Sequence, residues 1–328
     1  MSNTQAWRVV VTGKTLDVAL AMLKQECELQ IWDDIHKPIP KDLLLEWLKD
    51  SHGIYNSGHV RIDSGLLQSA PLLKVIAQPS VGYDNVDISA CTEQKIPFSN
   101  TPGVLTETTA DLAFGLLLTA ARKITIGWDQ VRGGRWTNSF EIPFGIDLYG
   151  KTMGIVGMGQ IGAAVARRAR AFGMNVIYYN RTQRPDDDSI QAAYVPFETL
   201  LSQADCIIVL TPLTQETRGL FNEKAFSRMK PTCYFVNASR GPVVDAQALY
   251  QALSSGKISF AALDVTDPEP IPANHPLVSL PNILITPHIG SATIETRTRM
   301  AELAVKNLLA GLAEKPLPTC VNHTVNYR

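Results

Sequence analysis

The sequence predicts an α/β protein built from two Rossmann-like, doubly wound parallel-sheet domains, with an active-site cleft between them. Three observations lead there. Short apolar runs alternate with amphipathic stretches from Trp7 onward, the alternation restarts near Lys151, and a glycine-rich turn stands at the restart. Runs that are apolar throughout, rather than at every second residue, suit parallel strands covered by helices on both faces.

Trp7-Arg-Val-Val-Val11 reads as the first strand, residues 16–23 carry helical spacing, and Gly53-Ile-Tyr and Lys74-Val-Ile-Ala return to short apolar runs. Residues 101–122 form a long apolar helix candidate. Pro102, Glu107 and Asp111 stand near its start and Arg122 and Lys123 at its end, as the helix dipole prefers. The second alternation runs through Met153-Gly-Ile-Val, Asn175-Val-Ile-Tyr-Tyr179 and Asp205-Cys-Ile-Ile-Val-Leu210. Three further apolar runs follow, near 233–237, 260–265 and 283–287. An amphipathic helix over 294–312 closes the pattern.

Bulk properties exclude several function classes. The 328 residues suffice for about two domains, and 45% apolar with 19% charged content describes a globular chain. A net charge of −1 and a pI near 6.6 leave no basic field for nucleic acid or an anionic membrane. The five cysteines are scattered, with no C-x-x-C pair, so reduced structural thiols are expected rather than disulfides or a metal site. Met1-Ser-Asn-Thr-Gln lacks a basic n-region followed by an apolar run, and no segment approaches ~18 uninterrupted apolar residues. A cytoplasmic location is the default expectation.

The chemistry concentrates in the second half. Gly157-Met-Gly159-Gln-Ile-Gly162 has a strand before it, an Ala-rich helix after it and another strand about 20 residues on, the context that a dinucleotide pyrophosphate requires. Gly157 suits the tight turn, Gly159 the approach of backbone to phosphate, and Gly162 close helix–strand packing. Where a carboxylate would bind the ribose of NAD, the chain reads Asn180-Arg181-Thr182-Gln183-Arg184. Arg181 and Arg184 suit a 2′-phosphate instead, so NADP(H) is the expected cofactor with weaker use of NAD(H), unless both arginines are solvated surface.

Arg240, Glu269 and His288 each follow one of the last three apolar runs, hence the carboxyl edge of a parallel sheet. A 2-oxo acid needs a guanidinium fork for its carboxylate and a proton donor for its carbonyl oxygen, and a carboxylate beside the His keeps that proton present. Together with a hydride carrier these point to a dehydrogenase. In the first domain, Ser80-Val-Gly82 reads either as a nest of backbone N–H groups for a carboxylate or as a plain strand-to-helix turn. His275 in Asn-His-Pro suits a turn, and no histidine spacing supports a metal.

On these residues the chain resembles the D-isomer-specific 2-hydroxyacid dehydrogenase family. The motifs are Gly154-Ile-Val-Gly-Met-Gly-Gln-Ile-Gly162, Phe235-Val-Asn-Ala-Ser-Arg-Gly-Pro-Val-Val-Asp245, Ala262-Leu-Asp-Val-Thr-Asp-Pro-Glu-Pro270 and Thr286-Pro-His-Ile-Gly-Ser-Ala-Thr293. Within it, Ser80-Val-Gly-Tyr-Asp-Asn85, Thr101-Pro-Gly-Val-Leu-Thr-Glu-Thr108 and the ending Cys320-Val-Asn322 resemble the bacterial glyoxylate/hydroxypyruvate reductases that also reduce 2-ketogluconate. The resemblance implies Arg240, Glu269 and His288 as the catalytic set. It implies substrate contacts from the Val81 and Gly82 backbone and from Arg240, with Ser291 in support. For the cofactor it implies Thr109, Met158, Gly159, Gln160, Ile161, Arg181, Thr211, Pro212, Thr217, Ala238 and Asp264. Asn180, Thr182, Arg184, Ser239, His288 and Gly290 complete the expected cofactor surface. The implied substrate domain is 1–100 with 291–328, the dinucleotide domain 101–290, with linking helices near 102–122 and 294–312. Homodimers would form through the dinucleotide domains.

One departure concerns Arg135-Trp-Thr-Asn-Ser-Phe140, where relatives place a Trp that reaches the partner's substrate; here Ser139 or Phe140 falls at that position. The implied reactions are NADPH-dependent reduction of glyoxylate to glycolate, of hydroxypyruvate to D-glycerate and of 2-ketogluconate to gluconate. A 3-phosphoglycerate dehydrogenase would carry an acid after Tyr179, and a dinucleotide-sensing corepressor on the same fold would show negligible turnover.

Overall fold

The computed structural model describes residues 6–185 and 190–325; the amino-terminal pentapeptide considered above as a targeting segment lies outside them. Two parallel sheets, of five and seven strands, make up an α/β protein. The chain divides into two compact units, Met1–Leu105 with Ser291–Arg328, and Thr106–Gly290.

In the first unit the strands β1 (Trp7–Val11), β2 (Cys27–Ile31), β3 (Gly53–Tyr55), β4 (Val75–Ala77) and β5 (Phe98–Ser99) lie in the order β2-β1-β3-β4-β5. Helices α1 (Asp17–Leu23), α2 (Lys41–Leu48), α3 (Ser64–Gln68) and α4 (Ile88–Glu93) connect them. Val10, Ile54, Ile76 and Phe98 face one core with Leu44, Leu48 and Leu67. Val9, Val11, Tyr55 and Val75 face the other with Ala304, Val305 and Leu308 of the last helix, Ile294–Leu312. Both faces of these strands are therefore dry, which is why their sequences do not alternate. The tail is stitched to β5: Phe98 N donates to Asn322 Oδ1 at 2.8 Å and Val321 N to Phe98 O at 2.8 Å.

In the second unit, β6 (Thr152–Val156), β7 (Asn175–Tyr179), β8 (Ala193–Tyr194), β9 (Cys206–Val209), β10 (Tyr234–Asn237), β11 (Phe260–Leu263) and β12 (Ile283–Ile285) are ordered β12-β11-β10-β9-β6-β7-β8. Chain order runs outward on both sides of β6 and β9, so the topological switch falls between them, directly beside the turn after β6. Among the described residues the α-helices placed in this unit are α5 (Thr106–Ala121), α6 (Ile124–Arg132), α7 (Gln160–Ala171), α8 (Phe197–Gln203), α9 (Glu223–Arg228) and α10 (Ala246–Ser254); Ile294–Leu312 is α11. Asp245 caps α10 through Ala248 N at 3.0 Å, and Asn222 caps α9 through Ala225 N at 3.1 Å.

The helix expected over 101–122 begins only at Thr106 and ends at Ala121. Gly103 takes a φ of +83°, outside the helical region, so the chain after Pro102 turns before it coils. Eight α5 residues are buried, among them Ala110, Ala113, Phe114 and Leu117. Glu107 and Asp111 on α5 pair with Arg168 on α7, at 2.9 and 2.5 Å. In contrast, α6 buries nothing. Trp128, Trp136, Phe140, Phe144 and Tyr149 on and after it are 60–83% exposed. Among the described residues no helix is long and apolar enough to cross a membrane.

Candidate active site

At the switch point, the turn from β6 into α7 is held from several sides. Gly157 has φ +101°, and a side chain there would meet Thr211 N at 2.5 Å, so the turn lies against the chain leaving β9. A side chain on Gly162 would meet Gly157 O at 2.6 Å, which explains the third glycine by packing alone. Gly159 is different. A Cβ there would meet nothing within 4 Å, so no protein atom requires glycine; open space lies before the first N–H groups of α7, where a phosphate fits.

Asn180 follows β7 and grips the turn: its Oδ1 accepts from Met158 N at 2.6 Å and its Nδ2 donates to Met158 O at 3.3 Å. A guanidinium N–H of Arg184 donates to the same Met158 carbonyl at 3.0 Å, and its backbone N–H donates to the Tyr178 hydroxyl at 3.0 Å. Arg181 and Thr182 are exposed at the edge. The two arginines that looked equivalent in the sequence thus differ. Arg184 braces the glycine-rich turn, while Arg181 faces solvent near Glu216, whose carboxyl is held below the usual range by the Thr214 hydroxyl, by a backbone N–H and, more weakly, by Arg181. Beyond β9, the Thr217 hydroxyl donates to Pro212 O at 2.7 Å and so closes the 212–217 loop.

The residues after β10, β11 and β12 form a second cluster in the same unit. Asn237 Oδ1 accepts from Ser239 N at 3.1 Å and from the Ser239 hydroxyl at 2.7 Å, while Asn237 Nδ2 donates to Arg240 O at 3.1 Å. Ala238 and Arg240 are half-buried beside them. A side chain at Gly241 would collide with the Thr266 carbonyl, so the Arg240 turn rests directly on the loop that carries Glu269. Thr266 N in turn donates to Glu269 Oε2 at 3.2 Å.

His288 Nδ1 lies 2.6 Å from Glu269 Oε1. Burial raises the Glu269 carboxyl, but His288, the Thr266 N–H and the charge of Arg240 more than offset it and leave the group below its ordinary range. His288 has φ +54°, an uncommon conformation for a non-glycine residue. The buried Asp264 explains how it persists. Its carboxylate accepts from the Thr286 hydroxyl, Ile289 N and Gly290 N, each at 2.8 Å, and its carbonyl accepts from His288 N at 2.9 Å. Thr109 of α5 is buried beside Gly290. With both Asp264 carboxylate oxygens engaged on this turn, the residue orients His288, a role that no spacing in the sequence displays.

In the first unit, Val81 and Gly82 are partly exposed after β4, and Ser291 opens the segment before α11, its carbonyl accepting from Thr293 N at 2.9 Å. The buried carboxamides of Asn56, Gln78 and Asn100 surround the 80–85 loop, and the half-buried Asn85 closes it from within. Sequence reasoning passed over all four, because a lone Asn or Gln in a strand or loop carries no spacing signal. His275 caps a short turn, its Nδ1 accepting from Leu277 N at 3.3 Å. Among the described residues no group of three or more His, Cys, Asp or Glu is placed to hold a metal.

Comparison with known proteins adds the following. Residues 114–290 match the model of the D-isomer specific 2-hydroxyacid dehydrogenase, NAD binding domain. A glyoxylate reductase of Korarchaeum cryptofilum is 44% identical over 321 residues, covering 97% of this chain and 96% of that protein. A Thermus thermophilus protein of known structure superimposes with TM-score 0.90 at 45% identity, over 96% of this chain and 99% of its own. An NADPH-dependent glyoxylate/hydroxypyruvate reductase from Sinorhizobium meliloti, solved with NADP and malonate, gives TM-score 0.87 at 34% identity over 99% of both chains.

Proposed function

The chain belongs to the D-isomer-specific 2-hydroxyacid dehydrogenase family, and from that premise we propose that it is an NADPH-dependent reductase of small 2-oxo acids, glyoxylate and hydroxypyruvate first among them and 2-ketogluconate as a larger substrate. The observation that carries the reading is the 2.6 Å pair of His288 and Glu269 beside Arg240, at the carboxyl edge of a sheet whose switch point carries the glycine-rich turn. The names borne by the Korarchaeum and Sinorhizobium relatives support the substrate class, and the second of them supports the cofactor.

The dinucleotide is held by the turn at 157–162 with Asn180, Arg181, Thr182 and Arg184 on one side, and by Thr109, Thr211, Pro212, Thr217, Ala238, Ser239, Asp264 and Gly290 around the rest. Bound there, it supplies a hydride to the carbonyl carbon. Arg240 offers its fork to the substrate carboxylate, and in the other unit the Val81 and Gly82 N–H groups are suited to an anionic group. Because Nδ1 of His288 is committed to Glu269, Nε2 is the atom that delivers a proton to the carbonyl oxygen as it gains charge. The product is a 2-hydroxy acid, and one proton is consumed per turnover. Exposed aromatics from Trp128 to Tyr149 suit burial against a second copy. A homodimer has twice the 35.9 kDa chain mass, which sedimentation measures directly; a 35.9 kDa species at micromolar concentration would remove it.

The test is a kcat/KM panel of glyoxylate, hydroxypyruvate, 2-ketogluconate and pyruvate with NADPH and NADH. Preferred turnover of the first two with NADPH is expected. Failure on all four acids would refute the reading.

Glu269→Gln is expected to change the pH profile. The wild-type carboxyl is depressed, so it stays ionised down to below the usual carboxylate range, and its support of a protonated His288 is lost only as pH falls through that lowered value. Glutamine carries no charge at any pH, so the acid-side loss that protonation of Glu269 gives the wild type is expected to be absent, with kcat lower throughout. Coincident acid limbs in the two enzymes would show that the Glu269 charge plays no part in the reaction.

A further inference from the structure

The loop 80–85 has an arrangement that a plain turn does not need. Three successive carbonyls are each held by a donor of the surrounding unit. Ser80 O accepts from Thr101 N at 2.8 Å, Val81 O from Asn100 Nδ2 at 2.9 Å, and Gly82 O from Gln78 Nε2 at 2.9 Å and from the Ser80 hydroxyl at 2.7 Å. In a planar trans peptide the N–H points opposite to the C=O. Pinning these three carbonyls therefore turns the N–H groups of Val81, Gly82 and Tyr83 away from their holders. Among the described residues none of these three N–H groups meets an acceptor.

Gln78 is fully buried, where an apolar side chain of equal volume would pack without any hydrogen-bonding requirement. Instead its Oε1 accepts from Asn56 Nδ2 at 2.8 Å and from Asn85 Nδ2 at 3.0 Å, and its Nε2 also reaches Ser80 Oγ at 2.9 Å and Asn85 Oδ1 at 3.1 Å. Asn56 is anchored by the Thr12 hydroxyl at 2.9 Å and by Val60 N at 2.9 Å. A closed set of carboxamides thus fixes which way the loop's peptide planes face.

We infer that Gln78 and Asn100 are positioning residues for carboxylate recognition, holding the Gly82 and Val81 carbonyls inward so that the Tyr83 and Gly82 N–H groups, together with the Val81 N–H set by Thr101, form a preformed arc for the substrate's carboxylate; this rests on the substrate class proposed above. Neither side chain touches the substrate. Each acts by denying the loop its flipped peptide planes.

The test compares a 2-oxo acid with its neutral amide, hydroxypyruvate against hydroxypyruvamide, in wild type, Gln78→Met and Asn100→Leu. Each variant removes a donor without adding charge. The expected result is a fall of roughly tenfold in kcat/KM for the acid, carried by KM, since the loss of a hydrogen bond that orients the peptide plane is felt on that scale. The amide's kcat/KM and the dissociation constant of NADPH stay within twofold. Asn100→Leu touches a single carbonyl and is the variant that keeps the test alive if Gln78→Met does not fold. Equal losses for acid and amide, or no loss for the acid, would overturn the inference. Calorimetric titration with oxalate reads the arc without turnover. Wild type that binds oxalate about tenfold more tightly than both variants, yet reduces neither substrate, would uphold the arc and sink the functional reading. Equal oxalate affinities in all three proteins would remove the arc.

Discussion

Replacement of His288 by asparagine is expected to lower kcat by about 10²–10⁴-fold, the range that a positioned general acid contributes. Asparagine is the right substitute because residue 288 sits at φ +54°, a conformation that asparagine tolerates better than alanine. The turn itself survives the exchange, since it is held by Asp264 through backbone atoms at 288, 289 and 290 and through the Thr286 hydroxyl. The imidazole is what disappears. Cofactor affinity, read by quenching of intrinsic fluorescence, should stay within a few-fold. A His288→Asn enzyme within threefold of wild-type kcat would show that the proton reaches the carbonyl oxygen by another route, and that the 2.6 Å contact with Glu269 is only a surface pair.

What the sequence disclosed follows from which forces act locally. Strands β3, β4, β6 and β9 to β11, and most of β1, were legible as apolar runs because both faces are buried; β7 and the edge strand β12 were legible because their apolar runs are unbroken although partly exposed, and the carboxyl-edge placement of Arg240, Glu269 and His288 followed from the parallel pairing. Strand β2 escaped because Cys27-Glu-Leu-Gln-Ile31 lies at the sheet edge, where most of its residues are partly exposed and the apolar run is broken. Helix α6 escaped because it buries no residue within its own unit. The start of α5 was misplaced since Pro102 is compatible with a helix start, whereas the turn at Gly103 is set by φ, which composition does not report. Polar side chains were the least legible. Asp264, Asn180 and Gln78 all act by closing hydrogen bonds onto backbone distant in sequence or around a loop, and one-dimensional spacing is blind to such closure.

Asn180 changes how cofactor choice should be tested. From the sequence, Asn180 stands where a ribose-binding acid would be, and exchanging it for Asp together with Arg181→Ala looks like a simple swap of attraction for repulsion. The structure gives Asn180 a second duty, because its carboxamide meets both the N–H and the carbonyl of Met158. An aspartate would keep the N–H and turn a second oxygen toward the carbonyl, which already accepts from Arg184. Asn180→Asp alone therefore mixes specificity with distortion of the glycine-rich turn. Arg181→Ala is the cleaner variant, since Arg181 is exposed and braces nothing in the turn. If its guanidinium binds the 2′-phosphate, removing that charge-assisted contact of ~1.5–3 kcal/mol should weaken NADPH by roughly 10–150-fold. Use of NADH should stay within twofold, because NADH has no phosphate at that position. Adding Asn180→Asp to Arg181→Ala should then reduce NADPH use further through repulsion, with some loss of kcat for both cofactors from the altered turn. The ratio of kcat/KM for NADPH to that for NADH, measured across wild type, the single and the double variant, separates the two effects. An unchanged ratio in Arg181→Ala would place the 2′-phosphate away from Arg181 and make Arg184, despite its engagement with Met158, the next residue to replace.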